Sequence, residues 1–298
     1  MAKYGDLYPD GVSRWAVCGG CGFLHQNPRP TVDALARFYD EGRYHADPPP
    51  AHWEDAATYL AFARSYYGEK VDWARRQAGL PGFGRVFEVG AGHGGALAVF
   101  RERGLQVDGV EPDAALRAFA ARVVGVTLRP GLLDRNAWLR PQADLVFSNH
   151  AFEHLHDLDE VMLGIRAILR PGGHLCTIVP TYAQNRSAMS RAWMNAAHYS
   201  LFTHRSLGML LARFGFEEVA HTYRGWATEV DDLWHVARFT GRKVDLTSFR
   251  EDARRVERYI RVWSVLNTAI HAPIEAVRAR QRVRRVLARV VPAWRGLR

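Results

Sequence analysis

An α/β fold, with apolar strands side by side in a parallel sheet and helices on both faces, is what these 298 residues predict. Three observations carry it. Strand-like and helix-like segments alternate from Arg85 onward, the strands are apolar on both sides, and a glycine-rich turn joins the first strand to the first helix.

Ahead of that region, "WAVCGGCGFLHQ" reads as a hairpin, and Thr31 caps a short helix with Leu35, Phe38 and Tyr39 on one face. "DPPP" at Asp47 to Pro50 is a loop, because proline removes backbone donors. A longer helix runs from Trp53 to Ala78 and stops at "GLPGFG". "RVFEV" is then the first strand, "GALAVFRERG" a helix, "QVDGV" the second strand and "DAALRAFAARV" a helix capped by Asp113. "VTL" makes a short third strand, "ADLVFS" a fourth, "LDEVMLGIRAIL" a helix and "HLCTIV" a fifth. After a loop rich in Asn, Ser and Trp comes helix "RSLGMLLARFG", and "FEEVAHT" with "LWHVARF" closes the sheet as a pair. Residues 1–80 therefore form an N-terminal hairpin and helical cap, 81–241 the sheet domain, and 242–298 a helical C-terminal extension.

The composition, 48% hydrophobic and 24% charged, is that of an ordinary globular protein. No apolar run reaches the length that crosses a bilayer, and the first residues carry no secretory pattern. Three cysteines do not make a disulfide framework, so the expected location is a reducing cytoplasm. The net charge of +9 is uneven, with 15 Lys/Arg against 5 Asp/Glu from Arg242 to the end. Within that stretch Arg278, Arg282, Arg285 and Arg289 oppose a row of valines and Leu287 at helical spacing. Such a basic amphipathic helix either docks on the body or meets an anionic membrane or acidic partner. No basic patch with interleaved aromatics surrounds the glycine turn, which argues against nucleic acid.

Gly90, Gly92 and Gly95 satisfy G-x-G-x-x-G, which means that a ligand lies against the backbone of the turn. Glu111, ending the second strand, can hold the hydroxyls of any ribose. A nicotinamide-dependent oxidoreductase and a non-catalytic cofactor-binding protein both remain open on those residues. Glu88, two residues before the first glycine, suits a cofactor with a cationic amino-acid end better than a pyrophosphate, which it would repel.

Together, "EVGAGHG", Glu111-Pro112, "FEHL" and "LRPGG" occur in an order and spacing that resemble the class I S-adenosylmethionine-dependent methyltransferases, in particular the small-molecule branch with the ubiquinone-type O-methyltransferases. The resemblance covers roughly Gly82 to Phe239 and implies a Rossmann-like sheet that binds S-adenosylmethionine and releases S-adenosylhomocysteine. It implies that Glu88, Gly90 and Gly92 line the methionine end and that Glu111 holds the ribose diol with Pro112 beside the adenine. Gly131, Leu132 and Leu133 would flank the adenine ring, and Asn149 and His150 the sulfonium, while His93 stands where the family often has a small residue. "NHAFEH" replaces the Asn/Asp-Pro-Pro-Tyr sequence of many nitrogen methyltransferases, which favours oxygen or carbon acceptors. The expected activity is O-methylation of a hydroxyl on a sugar, glycoside or secondary metabolite, the acceptor being a small molecule or glycan.

Two histidines are candidate bases for that hydroxyl. His198 lies in the insertion expected to cover the acceptor, and His154 in the loop after the fourth strand. Cys18 and Cys21 have the spacing of half a zinc knuckle, but the second cysteine pair usual in related chains is missing, so no metal is expected.

Overall fold

In the computed structural model, residues 8, 13–40, 53, 55–133, 143–182, 194, 197–225 and 231–262 are described. The expected basic helix over 273–291, the "DPPP" loop and most of the insertion before His198 lie outside them.

Strands β1 (Trp15–Val17) and β2 (Leu24–Gln26) form the expected antiparallel hairpin, and α1 (Val32–Asp40) follows with Thr31 Oγ1 accepting the Ala34 N–H at 3.2 Å. Helix α2 (Ala56–Gln77) starts three residues later than Trp53, because Asp55 supplies the cap and accepts the Thr58 N–H at 2.8 Å. Then come β3 (Arg85–Val89), α3 (Gly95–Glu102), β4 (Gln106–Glu111), α4 (Ala114–Phe119) and a π-turn over Ala120–Val124. Asp113 caps α4 by accepting the Ala115 and Leu116 N–H groups. The third strand is displaced from "VTL": β5 is Arg129–Pro130, since only there does the chain pair with Val110 and Glu111 of β4. There follow β6 (Ala143–Asn149), a 3₁₀ turn at Phe152–His154, α5 (Leu158–Ile168), β7 (Leu169–Pro180), β8 (Ser200–Leu201), α6 (His204–Arg213), β9 (Phe216–Gly225), β10 (Asp231–Phe239) and a 3₁₀ turn at Thr247–Phe249.

Seven of the strands form one sheet in the order β5-β4-β3-β6-β7-β10-β9. β3 through β7 run parallel, while β10 is antiparallel to both β7 and β9. One face packs α2 and α3 against Val86, Leu145, Phe147, Trp234 and Val236. The other packs α5 and α6 against Phe87, Val146, Leu175, Leu233 and Ala237. This alternation along each strand is the two-residue period of pleated backbone, and burial on both faces explains the apolar strands.

Parallel pairing brings the carboxyl ends of β3, β4, β6 and β7 to a single edge. Because β10 is antiparallel, its first residues arrive at that same edge, with Asp232 opposite Pro180. A second sheet, β1-β2-β8, joins the N-terminal hairpin to the segment after the insertion, and the Gln26 N–H donates to Tyr199 O at 2.9 Å. The hairpin thereby fixes the chain immediately after His198.

Candidate active site

The turn after β3 is bare for two physical reasons. Gly90 has φ +71°, and a Cβ on it would lie 2.6 Å from the Ala151 Cβ, so both conformation and space require glycine. Gly92 has φ +54°, and a Cβ there would meet nothing within 4 Å, so the turn presents its backbone to open space.

Two carboxylates lie behind this opening. Glu88 is 2% exposed; the Leu97 amide reaches its carboxyl group, but Oε2 has no hydrogen-bond partner, and burial pushes its pKa well above the usual range. Glu111 accepts the Gly92 N–H at 2.8 Å through Oε2 and the Asp113 N–H at 2.9 Å through Oε1. Burial raises its pKa to about 7 against those two amides. Glu111 thus ties the glycine turn to the start of α4 while keeping further acceptor capacity, as each carboxylate oxygen takes two hydrogen bonds. An orphaned buried carboxyl oxygen and an open backbone cradle fit a ligand with a cationic amino end and a diol.

Around the mouth, His93 is packed edge-on to Phe119 at 4.8 Å and Trp53 at 5.5 Å, with Tyr59 at 6.1 Å. This aromatic lining was not legible in the sequence, because its members come from three elements. Pro112 is half-buried, and its carbonyl accepts from Arg117 Nη1 at 2.5 Å. Gly131, Leu132 and Leu133 divide: Leu132 is 55% exposed, whereas Leu133 is packed into the core with Phe87, Val89 and Val110. Of the two leucines, only Leu132 stands on the open side.

At the end of β6 an ionisable network occupies the same sheet edge. His150 takes φ +53°, donates its N–H to Ile178 O at 2.8 Å and its Nε2–H to Asp232 Oδ2 at 3.0 Å. Its Nδ1 lies 3.5 Å from Glu153 Oε1. Burial would lower the His150 pKa, but the hydrogen bonds with Asp232 and Glu153 outweigh it and raise the value to about 9. Lys70, 2% exposed on α2, donates to Asn149 Oδ1 at 2.9 Å, lies 4.0 Å from Asp232 Oδ2 and sits over the Tyr66 ring at 3.9 Å. Burial brings Lys70 down to about 8 despite the Asp232 charge.

Glu153 is fully buried, and the ring nitrogens facing its Oε1 stand at long range, His150 Nδ1 at 3.5 Å and His154 Nε2 at 3.8 Å. Burial opposes its ionisation, yet His150, His154 and His198 together hold its pKa at about 2. His154 donates Nδ1–H to Ala197 O at 2.9 Å, so in the neutral ring the lone pair is on Nε2, which lies 3.8 Å from Glu153 Oε1. Burial lowers the His154 pKa, favouring that neutral ring. The His198 ring meets His154 edge-on at 4.6 Å, and the Tyr199 N–H donates to Glu153 O at 2.7 Å, holding the two segments together. Glu153, His154 and His198 each offer a ligand atom within 4.8 Å of the others, a spacing open to a cation as well as a proton.

Lys70, Tyr66, Glu153 and Asp232 were not singled out as site residues from sequence. Lys70 carried a signal: it interrupts the buried stripe of α2 formed by Tyr59, Ala63 and Ala74. Asp232 carried another, as the first turn of an antiparallel strand returns to the carboxyl edge of its parallel neighbours. Among the described residues, Cys18 and Cys21 are joined by no further metal-ligand side chain.

Residues 53–221 match a family model described as a methyltransferase domain. The C-methyltransferase NovU of Streptomyces niveus is 30% identical over 178 residues, which span 57% of this chain and 42% of that protein. The malonyl-[acyl-carrier protein] O-methyltransferase of Enterobacter lignolyticus is 27% identical over 153 residues, 49% of this chain and 61% of that one. The chain thus spans about half the length of the curated relatives it matches. Among solved structures, the Burkholderia thailandensis 1,6-didemethyltoxoflavin-N1-methyltransferase superposes with a TM-score of 0.51 at 21% identity, covering 78% of this chain and 98% of that one. That likeness is one of fold. With the family match extending over more than half of its residues, the chain belongs to the class I S-adenosylmethionine-dependent methyltransferases.

Proposed function

We propose that the protein transfers a methyl group from S-adenosylmethionine to a hydroxyl of a small molecule, a sugar, glycoside or secondary metabolite, with a histidine pair taking the proton. The observation that supports this is the His154–His198 pair beside the buried Glu153 at the carboxyl edge of the sheet. Glu88, Gly90 and Gly92 would receive the amino-acid end of the cofactor, Glu111 its ribose diol, and Pro112, Gly131 and Leu132 its adenine. Asn149 and His150 would border the reacting centre. When bound, S-adenosylmethionine supplies a methyl group already activated by its sulfonium.

The protein then has to align the acceptor, exclude water and accept one proton. His154 Nε2 would take it, and Glu153, 3.8 Å away, would stabilise the imidazolium that forms. His198, the first candidate by sequence, packs against that ring and contributes to the same proton-accepting pair. His150 is a poorer base, being already protonated at neutral pH. A second reading, methylation at carbon, draws support from the likeness to NovU.

The test is release of S-adenosylhomocysteine with a panel of hydroxylated sugars and phenols, and NMR of the product to locate the new methyl group. His154→Gln and His198→Gln should lower kcat by roughly two to four orders of magnitude between them, leaving cofactor affinity unchanged. Normal turnover in both variants across pH 6–9 would remove the base, and a C-methyl signal would select the second reading.

A further inference from the structure

A different set of ionisable side chains converges on the opposite face of β10 from Asp232, where Leu233, His235 and Ala237 meet α6. Four residues from three elements take part. His204 begins α6, Glu218 and His221 lie on the edge strand β9, and His235 is on β10.

The backbone accounts for the convergence. Residues three apart in a regular strand point to opposite faces, so Glu218 and His221 should diverge. A register shift lies between Val236 and Ala237: Val236 pairs with Ala220 and Ala237 with Glu218, which leaves Val219 as an extra residue on β9. The bulge reverses the alternation and turns Glu218 to the face of His221 and His235, which are themselves direct cross-strand partners. Val219 is left 44% exposed by the same distortion.

The side chains then gather around one carboxylate. Glu218 Oε2 lies 2.5 Å from His204 Nε2 and 2.9 Å from His235 Nε2, and Oε1 lies 2.8 Å from His221 Nδ1. The His204 and His221 rings stack at 3.7 Å between centroids. Donor atoms of His204, Glu218 and His235 all fall within 4.8 Å of one another. Around a tetrahedral zinc with bonds of about 2.0–2.1 Å, neighbouring donors stand about 3.3 Å apart, so small rotations would suffice. His235 is 1% exposed and anchors the group, while the side chains of His204, His221 and Glu218 remain 30–35% exposed and leave an entry from solvent.

We propose that His204, Glu218, His221 and His235 form a binding site for a divalent transition-metal ion of the zinc class, which clamps the start of α6 to the β9–β10 edge. Three imidazoles and one carboxylate suit zinc and exclude calcium or magnesium, which take oxygen ligands. His235 Nδ1 is buried without a hydrogen-bond partner, so this ligand lacks the outer acceptor that normally strengthens a metal-bound imidazole. The expected affinity is therefore micromolar, and the expected consequence is a zinc-dependent rise in Tm.

Calorimetric titration of ZnCl₂ into EDTA-treated full-length protein tests this, with Cys18→Ser and Cys21→Ser present throughout so that thiols do not compete. One zinc per chain should bind. His204→Ala with His221→Ala should weaken binding by more than about tenfold, beyond the loss typical of outer-shell changes at its lower end. Glu218→Gln, which keeps the side-chain shape, should also weaken it and cancel the zinc-dependent Tm rise. His154→Ala with His198→Ala should leave binding intact. Absence of zinc binding by the parent, undiminished binding by both the double histidine and Glu218→Gln variants, or binding lost only with His154 and His198 would each overturn the assignment.

Discussion

Asp232→Asn should change the stability of the protein in a pH-dependent way, because it removes the charge shared by His150 and Lys70. His150 keeps its proton up to about 9 in the fold, against an ordinary value of 6.5. Its raised pKa contributes stability that is fully present below about pH 6.5 and disappears as pH rises through 9. The difference corresponds to about 3 kcal/mol at 1.36 kcal/mol per pH unit. The His150 side chain is 27% exposed and Glu153 shares the proton, so about 1–2 kcal/mol is assigned to Asp232. Lys70 runs the other way: its pKa is lowered to about 8, so stability rises where only the unfolded chain keeps the proton, between about 8 and 10.5. Without Asp232, the buried Lys70 cation loses its counter-charge, which adds to the loss at neutral pH. Above about pH 9.5 both cations are discharged in the fold, and Asp232 is then a buried carboxylate left with only a neutral donor, the His150 Nε2–H. Urea unfolding of parent and variant at pH 6, 7, 8, 9 and 10 should give a destabilisation of about 1–2 kcal/mol at pH 6–7 that vanishes or reverses by pH 10. The same loss at every pH would refute the assigned proton positions.

Glu111, whose pKa burial raises to about 7, should make S-adenosylhomocysteine affinity increase from pH 6 to 8 as the carboxylate ionises; Glu111→Gln should flatten that dependence in calorimetry. Glu111→Ala should cost about 1.5–3 kcal/mol of binding, and NAD should not bind the parent; the reverse ligand preference would contradict the cofactor assignment. Gly90→Ala should destabilise by about 1–3 kcal/mol through its positive φ and the Ala151 contact. Adding Ala151→Gly should recover the steric part alone, and an identical loss with and without it would show that the contact relaxes freely.

The parts of the fold that could be read ahead of the structure were those set by local chemistry. Strand and helix periods, the Asp113 cap and the two glycines at the turn each follow from a residue and its near neighbours. β5 moved because a two-residue strand is defined by its partner, β4, and not by its own apolar content. The same distinction separates Leu132 from Leu133, which are chemically identical and differ only in what the fold puts behind them.

The candidate site follows the same rule at longer range. Its proposed cofactor half is carried by one contiguous turn and one strand end, which is why Glu88, Gly90, Gly92 and Glu111 could be named from sequence. Its proposed acceptor half is assembled from α2, β6, the 3₁₀ turn at Phe152–His154, the segment before β8 and the start of β10. Lys70 and Asp232 are 162 positions apart and meet only because β10 enters the sheet in reverse at the carboxyl edge of β7. No local pattern encodes that meeting, but its cost is visible in the composition of the elements themselves. A lysine in the buried stripe of a helix and an aspartate opening an apolar strand are each unfavourable alone, and each becomes tolerable once the other is present. An isolated violation of an element's apolar pattern therefore indicates a partner elsewhere in the chain, and pairing such violations by sheet topology is the step that would have brought Lys70, His150 and Asp232 together before any coordinates existed.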